Sequence, residues 1–316
     1  MGASFDPTCM KVALLCGGRS GERDISLASG ASAKEALEQA GFSVTMIDPA
    51  VRKDLQTLLD GEFDVAFLCL HGKYGEDGTI QGMLEILDIP YTGSGVFASA
   101  CAIDKVRTKV FYRQSGIPTP ESLTMNGVAT MSGAEVIEKL GSPCVVKPAN
   151  DGSALGVHIV NTPEEVEQAL DDIFSRGQDA LLETYIKGDE FTVSVIGGND
   201  PKALPVIKIV PQAKFYDFNS KYAPGGSQHL CPAPVSAETT KQLQELALKA
   251  HKALGCCGMS RTDIIMDGEG RFWTLETNTI PGMTGTSLLP DAARAAGIEF
   301  PELCTKLIEF ALENQK

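Results

Sequence analysis

The stretch RTDIIMDGEGRFWTLETN, from Arg261 to Asn278, holds two strand-like runs around Asp-Gly-Glu-Gly at 267–270 and reads as a β-hairpin. A turn with an even number of residues pairs positions whose numbers sum to an odd value, for example Asp263 opposite Thr274. Strand alternation then puts Arg261, Asp263, Glu276 and Asn278 on one face, with Ile264, Met266, Phe272 and Leu275 on the other. Two carboxylates and a carboxamide on one face form a hard-oxygen set suited to Mg²⁺. The competing reading is a solvated polar face balanced by Arg261, but such faces seldom omit Lys so completely.

Outward from the hairpin, the preceding helix runs from Ala237 to Leu254, with Leu243, Leu246, Ala247, Ala250 and Leu254 on one side and Gly255 ending it. Before it lies Lys214–Leu230, rich in Gly, Tyr, Phe and Lys and without periodicity, a loop composition that is more often functional than decorative. Short strands are expected at Cys144–Lys147, Val157–Val160, Ala180–Glu183, Phe191–Ile196 and Val206–Val210, around a single helix at Pro163–Phe174. In the segment VVKPANDGSALGV (145–157) a Lys ends one strand and a Gly/Ser loop follows. Backbone N–H groups of such a loop can close over phosphates, with Lys147 as a point charge.

At the N-terminal end, KVALLC (11–16) reads as a buried strand, followed by a helix from about Glu22 to Ala40 and strands at Val44–Asp48 and Val65–Leu70. Helices are expected near Thr79–Asp88 and at Ala98–Ser115. The first hundred residues therefore form an open, parallel sheet flanked by helices. The loop after the first strand, with Glu22 and Arg23, and the loop carrying His71 both follow strand ends, where open α/β sheets bind ligands, so the two face one pocket. GSGVFA (93–98) matches a dinucleotide fingerprint in form, but it follows no clear strand and reads as a turn and helix start. The order of elements is α/β, and α+β over the whole chain, in three α/β subdomains at 1–100, 101–185 and 186–316.

With 43% hydrophobic and 22% charged residues over 316 positions, the chain is globular and long enough for more than one domain. The net charge of −14 repels nucleic-acid backbones, so an anionic ligand must be met by individually placed cations. No apolar stretch reaches the ~20 residues of a membrane helix, and the first residues lack a signal-peptide pattern, so a cytoplasmic location is expected. The nine cysteines include no Cys-x-x-Cys pair and read as reduced, mostly buried thiols.

Taken together, GGRSGERDISLASG (17–30), LHGKYGEDGTIQGMLEILDIPYTGSG (70–95), DKVRTK (104–109), VVKPANDGSALGV (145–157), FYDFNSKY (215–222) and SRTDIIMDGEGRFWTLETNTIPGMTGTSLLP (260–290) make the chain resemble the D-alanine–D-alanine ligases of the ATP-grasp superfamily. The stretches run in family order across nearly the whole chain. The resemblance implies an ATP-grasp fold and ATP-dependent joining of two D-alanine molecules through an acyl phosphate, for peptidoglycan precursors. It implies ATP contacts from Lys105, Lys147, Glu183, Tyr185, Ile186, Glu190, Phe215 and Lys221, and Mg²⁺ or Mn²⁺ held by Asp263, Glu276 and Asn278. Glu22 would hold the ammonium of the first D-alanine, with His71, Ser287 and Leu288 near the substrates. Glu22, Ser153 and Tyr222 would form a hydrogen-bonded triad, and Arg261 with the Gly282 N–H would stabilise the oxyanion. A homodimer is a further family expectation. A D-alanine–D-lactate ligase, or a regulator that binds nucleotide without turning it over, are the alternatives. The regulator would be expected to have lost Arg261 or a metal ligand, and this chain keeps them all.

Overall fold

A computed structural model describes residues 5–150, 156–211 and 227–313. Its first sheet is built from β1 (Lys11–Leu15), β2 (Ser43–Ile47) and β3 (Val65–Leu68), all parallel, in the order β2-β1-β3. Val12–Leu15 and Val65–Leu68 are wholly buried, as expected of strands covered on both faces. Helices α1 (Arg23–Gln39) and α2 (Arg52–Asp60), the second not expected from periodicity, belong to this layer. Helix α1 lies so close to the strand end that a Cβ built on Gly30 would sit 2.6 Å from Cys16 Cβ.

Helix α3 (Thr79–Ile86) follows the His71 loop. The single helix expected at 98–115 is two helices, α4 (Val96–Ile103) and α5 (Lys105–Gln114). Apolar periodicity runs through the junction, but Asp104 is extended there (φ −84°, ψ 95°), and its side chain accepts from Arg107 N at 3.0 Å and caps α5.

The second sheet has the order β4-β7-β5-β6, from β4 (Ser122–Met125), β5 (Cys144–Pro148), β6 (His158–Val160) and β7 (Ala180–Thr184), all antiparallel. Two helices, not one, pack on it: α6 (Gly133–Leu140) and α7 (Pro163–Ser175). The α6 start is a capping box between Ser132 and Glu135, a local signal that outweighs the short apolar pattern.

The third sheet runs β11-β10-β8-β12-β13, with β8 (Gly188–Gly197), β10 (Ile207–Pro211), β11 (Ser227–Leu230), β12 (Gly258–Asp267) and β13 (Phe272–Asn278), and with β9 (Lys202–Ala203) paired to β8. The end of the segment expected to be irregular at 214–230 is therefore strand, since β11 pairs with β10. Helix α8 (Ala237–Leu254) buries Leu243, Ala247, Ala250 and Leu254, and Gly255 closes it in the left-handed region at φ +69°. After β13 the chain passes through a loop into α9 (Leu288–Ala295) and α10 (Phe300–Glu313). Leu303, Leu307 and Ile308 of α10 share one core with Leu14, Leu37 and Phe67, so the two ends of the chain pack together.

None of the nine cysteines, all of them among the described residues, forms a disulfide, and five are buried. Among the described residues no helix is long and apolar enough to cross a membrane.

Replacing Gly30 by Ala sets about 1–3 kcal/mol of overpacking against about 1 kcal/mol of gained helix propensity. We expect a net loss of stability, read as a lower thermal midpoint. An unchanged or higher midpoint would mean that α1 can move off the strand end.

Candidate active site

The β12–β13 hairpin differs in register from the expectation. Near the turn Met266 pairs with Phe272 and Ile264 with Thr274, a register set by an odd-numbered turn. A bulge then shifts the register, so that Asp263 faces Glu276, not Thr274, and Arg261 faces Asn278. Leu275 is the extra residue, and it cancels the error in turn parity. The polar four still meet in opposed pairs, while Ile264, Met266 and Phe272 pack in the core under α8.

Arg261 grips Asp263 with two hydrogen bonds, Nε to Oδ1 and Nη2 to Oδ2, each 3.0 Å. Thr192 Oγ1 on β8 donates to Asp263 Oδ1 at 2.6 Å. Lys105 Nζ, at the start of α5, lies 3.3 Å from Glu276 Oε2. Asn278 Oδ1 accepts from Ile280 N at 2.8 Å. On the opposite face Thr262 and Thr277 share a hydrogen bond of 2.9 Å, and Tyr112 OH of α5 joins Thr277 at 2.7 Å. An open cleft beside the hairpin is lined by Glu76, Lys105, Glu276, Asn278 and Thr279. Among the described residues no three His, Cys, Asp or Glu side chains converge as a metal set. The donor set in this hairpin is two carboxylates and one carboxamide, all hard oxygens, which fits Mg²⁺ or Mn²⁺.

From the first sheet, Gly17 and Gly18 turn the chain with φ of +87° and +80°. Asp48 locks this turn: its carboxylate accepts from Gly18 N at 2.9 Å and from Arg23 Nη2 at 2.5 Å, while Arg23 Nη1 donates to Gly18 O at 2.7 Å. Burial pushes the Asp48 carboxyl up, but Arg23 and the backbone N–H groups hold it below the usual range. Glu22, at the head of α1, is buried, and a Cβ on Gly72 would come within 3.0 Å of its Oε2. The loops of Glu22 and His71 thus face each other. Glu76 accepts from Gly72 N at 2.6 Å. Burial, then the charge of Glu22, pushes its carboxyl up to about 8. His71 is buried, and its Nε2 has no hydrogen-bond partner among the described residues. Burial, then the charge of Arg261, pushes the imidazole down to about 4, so it is neutral at pH 7.

In the second sheet Lys147 on β5 reaches Glu183 on β7, Nζ to Oε2, at 2.6 Å. Tyr185 and Ile186 lie in the connection from β7 to β8, and Glu190 sits on β8 opposite Ile209 and Ile265. Lys105 N donates to Ala149 O at 3.0 Å, which ties the start of α5 to the end of β5. Gly282, Ser287 and Leu288 lie between β13 and the start of α9. A Cβ on Gly282 would meet Ser287 Oγ at 2.8 Å. Met283 N donates to Ser29 Oγ of α1 at 3.3 Å, so this segment is tied to the helix headed by Glu22. Ser153, Phe215, Lys221 and Tyr222 lie outside the described residues. Sequence reasoning assigned nothing to Glu76 or to Lys109, which pairs with Glu183 Oε1 at 2.6 Å. Both stand inside quoted motifs, but only their burial and non-local partners mark them out.

Comparison with known proteins identifies the family. The family model for the D-ala D-ala ligase C-terminus matches residues 111–309, and that for the N-terminus matches residues 48–94. A D-alanine–D-alanine ligase of Desulforamulus reducens is 47% identical over 313 residues, 96% of this chain and 99% of the relative. A second, from Syntrophobacter fumaroxidans, is 46% identical and covers 96% of this chain and 98% of its own. The crystal structure of a D-alanine–D-alanine ligase from Bacillus anthracis superposes with a TM-score of 0.86 at 36% identity, over 96% of this chain and 98% of that one. One from the same organism complexed with ATP gives 0.85 at 34% identity, with the same coverage. The fold is the ATP-grasp fold. The chain belongs to the D-alanine–D-alanine ligase family.

The His71 environment makes a test. Its folded value, about 4, lies below the 6.5 of a free imidazole, so the folded state favours the neutral ring. That contribution to stability is present above pH 6.5 and is lost as pH falls toward 4. A ¹⁵N titration of the imidazole should show His71 neutral down to about pH 5. A midpoint near 6.5 would mean that the ring is solvated.

Proposed function

We propose that this chain is an ATP-dependent ligase that joins two D-alanine molecules into D-alanyl-D-alanine, releasing ADP and phosphate. The observation that carries the reading is the hairpin face, with Arg261, Asp263, Glu276 and Asn278 in opposed pairs beside Lys105. Membership of the ligase family, over nearly the full chain, supports it.

A carboxylate is a poor electrophile with a hydroxide-like leaving group. Transfer of the γ-phosphoryl group to one D-alanine carboxylate oxygen, with departure of ADP, replaces that leaving group by phosphate. The amine of the second D-alanine, having lost its ammonium proton, then attacks the carbonyl carbon, and the carbon–oxygen bond to phosphate breaks. Both steps build negative charge, so placed cations and donors dominate catalysis. Lys105 and Lys147 suit the phosphates, and Arg261 with the Gly282 N–H suits the tetrahedral oxyanion. Glu183, Tyr185, Ile186 and Glu190 would line the adenine and ribose site. Asp263, Glu276 and Asn278 would hold Mg²⁺ or Mn²⁺, which when bound neutralises the β- and γ-phosphates.

Glu22, buried at the head of α1, suits an ammonium, and the Nε2 of His71, which has no hydrogen-bond partner among the described residues, offers a neutral polar atom at the same pocket. Ser287 and Leu288 complete the substrate side. The roles of Ser153, Phe215, Lys221 and Tyr222 rest on the resemblance alone. A division at about 100 and 185, a homodimer, a cytoplasmic location and supply of peptidoglycan precursors complete the reading. The direct test is ADP release with D-alanine present or absent, with D-lactate offered as acceptor in parallel. ADP release that ignores D-alanine would overturn the assignment.

Glu276→Gln should abolish turnover at ordinary Mg²⁺ concentration while the fold survives, because Mg²⁺ needs anionic oxygen. Near-normal ADP release by this variant would remove Glu276 from the metal set. Arg261→Ala should lower kcat by roughly 10²–10³, the loss typical of one oxyanion donor. A change confined to KM would mean that Arg261 only binds substrate.

A further inference from the structure

Lys109 is 1% exposed at its side chain, yet it lies on the face of α5 that carries Lys105 four residues before it and Tyr112 three after. Its ammonium donates to Thr119 Oγ1 at 2.7 Å and to Pro120 O at 2.9 Å, and it forms an ion pair with Glu183 Oε1 at 2.6 Å. The slot is therefore shaped for the protonated form. Burial pushes that ammonium down to about 8, against the pull of Glu183, so it stays mostly charged at neutral pH. Glu183 itself divides its two oxygens, one to Lys109 and one to Lys147, each at 2.6 Å. Burial pushes the Glu183 carboxyl up, and the two lysines outweigh it and hold it below the usual range.

Two cations on one carboxylate leave the trio with a net charge of +1, in a place where unbalanced charge is costly. A lone Glu183–Lys147 pair would be neutral, and the carboxylate would be free to turn both oxygens onto Lys147. We propose that Lys109 is a positioning residue for nucleotide binding: it fixes Glu183 so that Lys147 keeps its place and its surplus positive charge for an anionic phosphate. Lys109 itself is walled off from the ligand and acts only through Glu183. This rests on the ATP-dependent reading of Lys147 given above.

The test is a double-mutant cycle of Lys109→Met and Glu183→Gln in the full chain. KM for ATP and KM for D-alanine are measured, with the affinity for a fluorescent ATP analogue read directly. Lys109→Met should weaken nucleotide binding roughly ten- to hundredfold, the range supported by hydrogen bonds to charged groups, and leave KM for D-alanine within about twofold. Added to Glu183→Gln, it should change nucleotide affinity by less than about twofold, because its route is already cut. A nucleotide affinity like that of the native chain, an equal penalty in both backgrounds, or a parallel rise in KM for D-alanine would overturn the proposal. If Lys109→Met does not fold, Lys109→Gln, which can still donate to Thr119 and Pro120, is judged by the same criteria. Absence of D-alanine-dependent ADP release from the native chain would overturn the ligase reading instead, and the analogue affinities would still decide the role of Lys109.

Discussion

Asp263 and Glu276 stand directly opposite each other on neighbouring strands, and facing carboxylates repel unless cations are held against them. The cations come from two directions. Arg261 lies two residues from Asp263 on the same strand, so that pair is set by local geometry. Lys105 belongs to α5, so its contact with Glu276 exists only while α5 keeps its position. The break at Asp104 is what starts a new helix at Lys105. A continuous helix from 98 would have aimed that lysine by the phase of α4. The same helix reaches the back of the hairpin through Tyr112 and Thr277, and thus braces both faces of β13.

Because α5 also carries Lys109, one helix face is tied to both the second and the third sheet. The site is therefore assembled between layers. The N-terminal loops join it through different ties: Asp48 and Arg23 set the glycine turn before Glu22, and Ser29 on the same helix holds the segment after Asn278. The helix headed by Glu22 and the 282–288 segment thus share a support across a chain separation of more than two hundred residues.

The sequence made the hairpin legible because strand alternation is strict and the residues were of unusual type. Its register was not legible, since a bulge at Leu275 leaves no mark in a pattern of period two. The four polar residues still stand in opposed pairs because the bulge offset an odd turn. Helix α6 and strand β4 were missed for another reason: eight and four residues are too few for periodicity, although Ser132 and Glu135 do spell a capping box. The break at Asp104 was hidden by apolar spacing that continues through it. Lys109 and Glu76 were invisible as functional candidates because nothing local distinguishes a buried charged residue from an exposed one. Their meaning comes from Glu183, Glu22 and Arg261, which are distant in the chain.

A net charge of −14 and a site for an anion look contradictory until distances are compared. Screening confines surface charges to about 8 Å at physiological salt, so most of that charge does not reach the cleft. Around it, the side chains of Lys105, Lys147 and Arg261 are each no more than 13% exposed, and each already holds a carboxylate. Their geometry is fixed before any ligand arrives, so an incoming phosphate finds donors that need little reorganisation. The carboxylates that fix them also cancel much of their field, and a site of matched pairs would be rigid but nearly neutral. Sharing one carboxylate between two lysines resolves that conflict, since it keeps the rigidity of an ion pair and leaves one charge over.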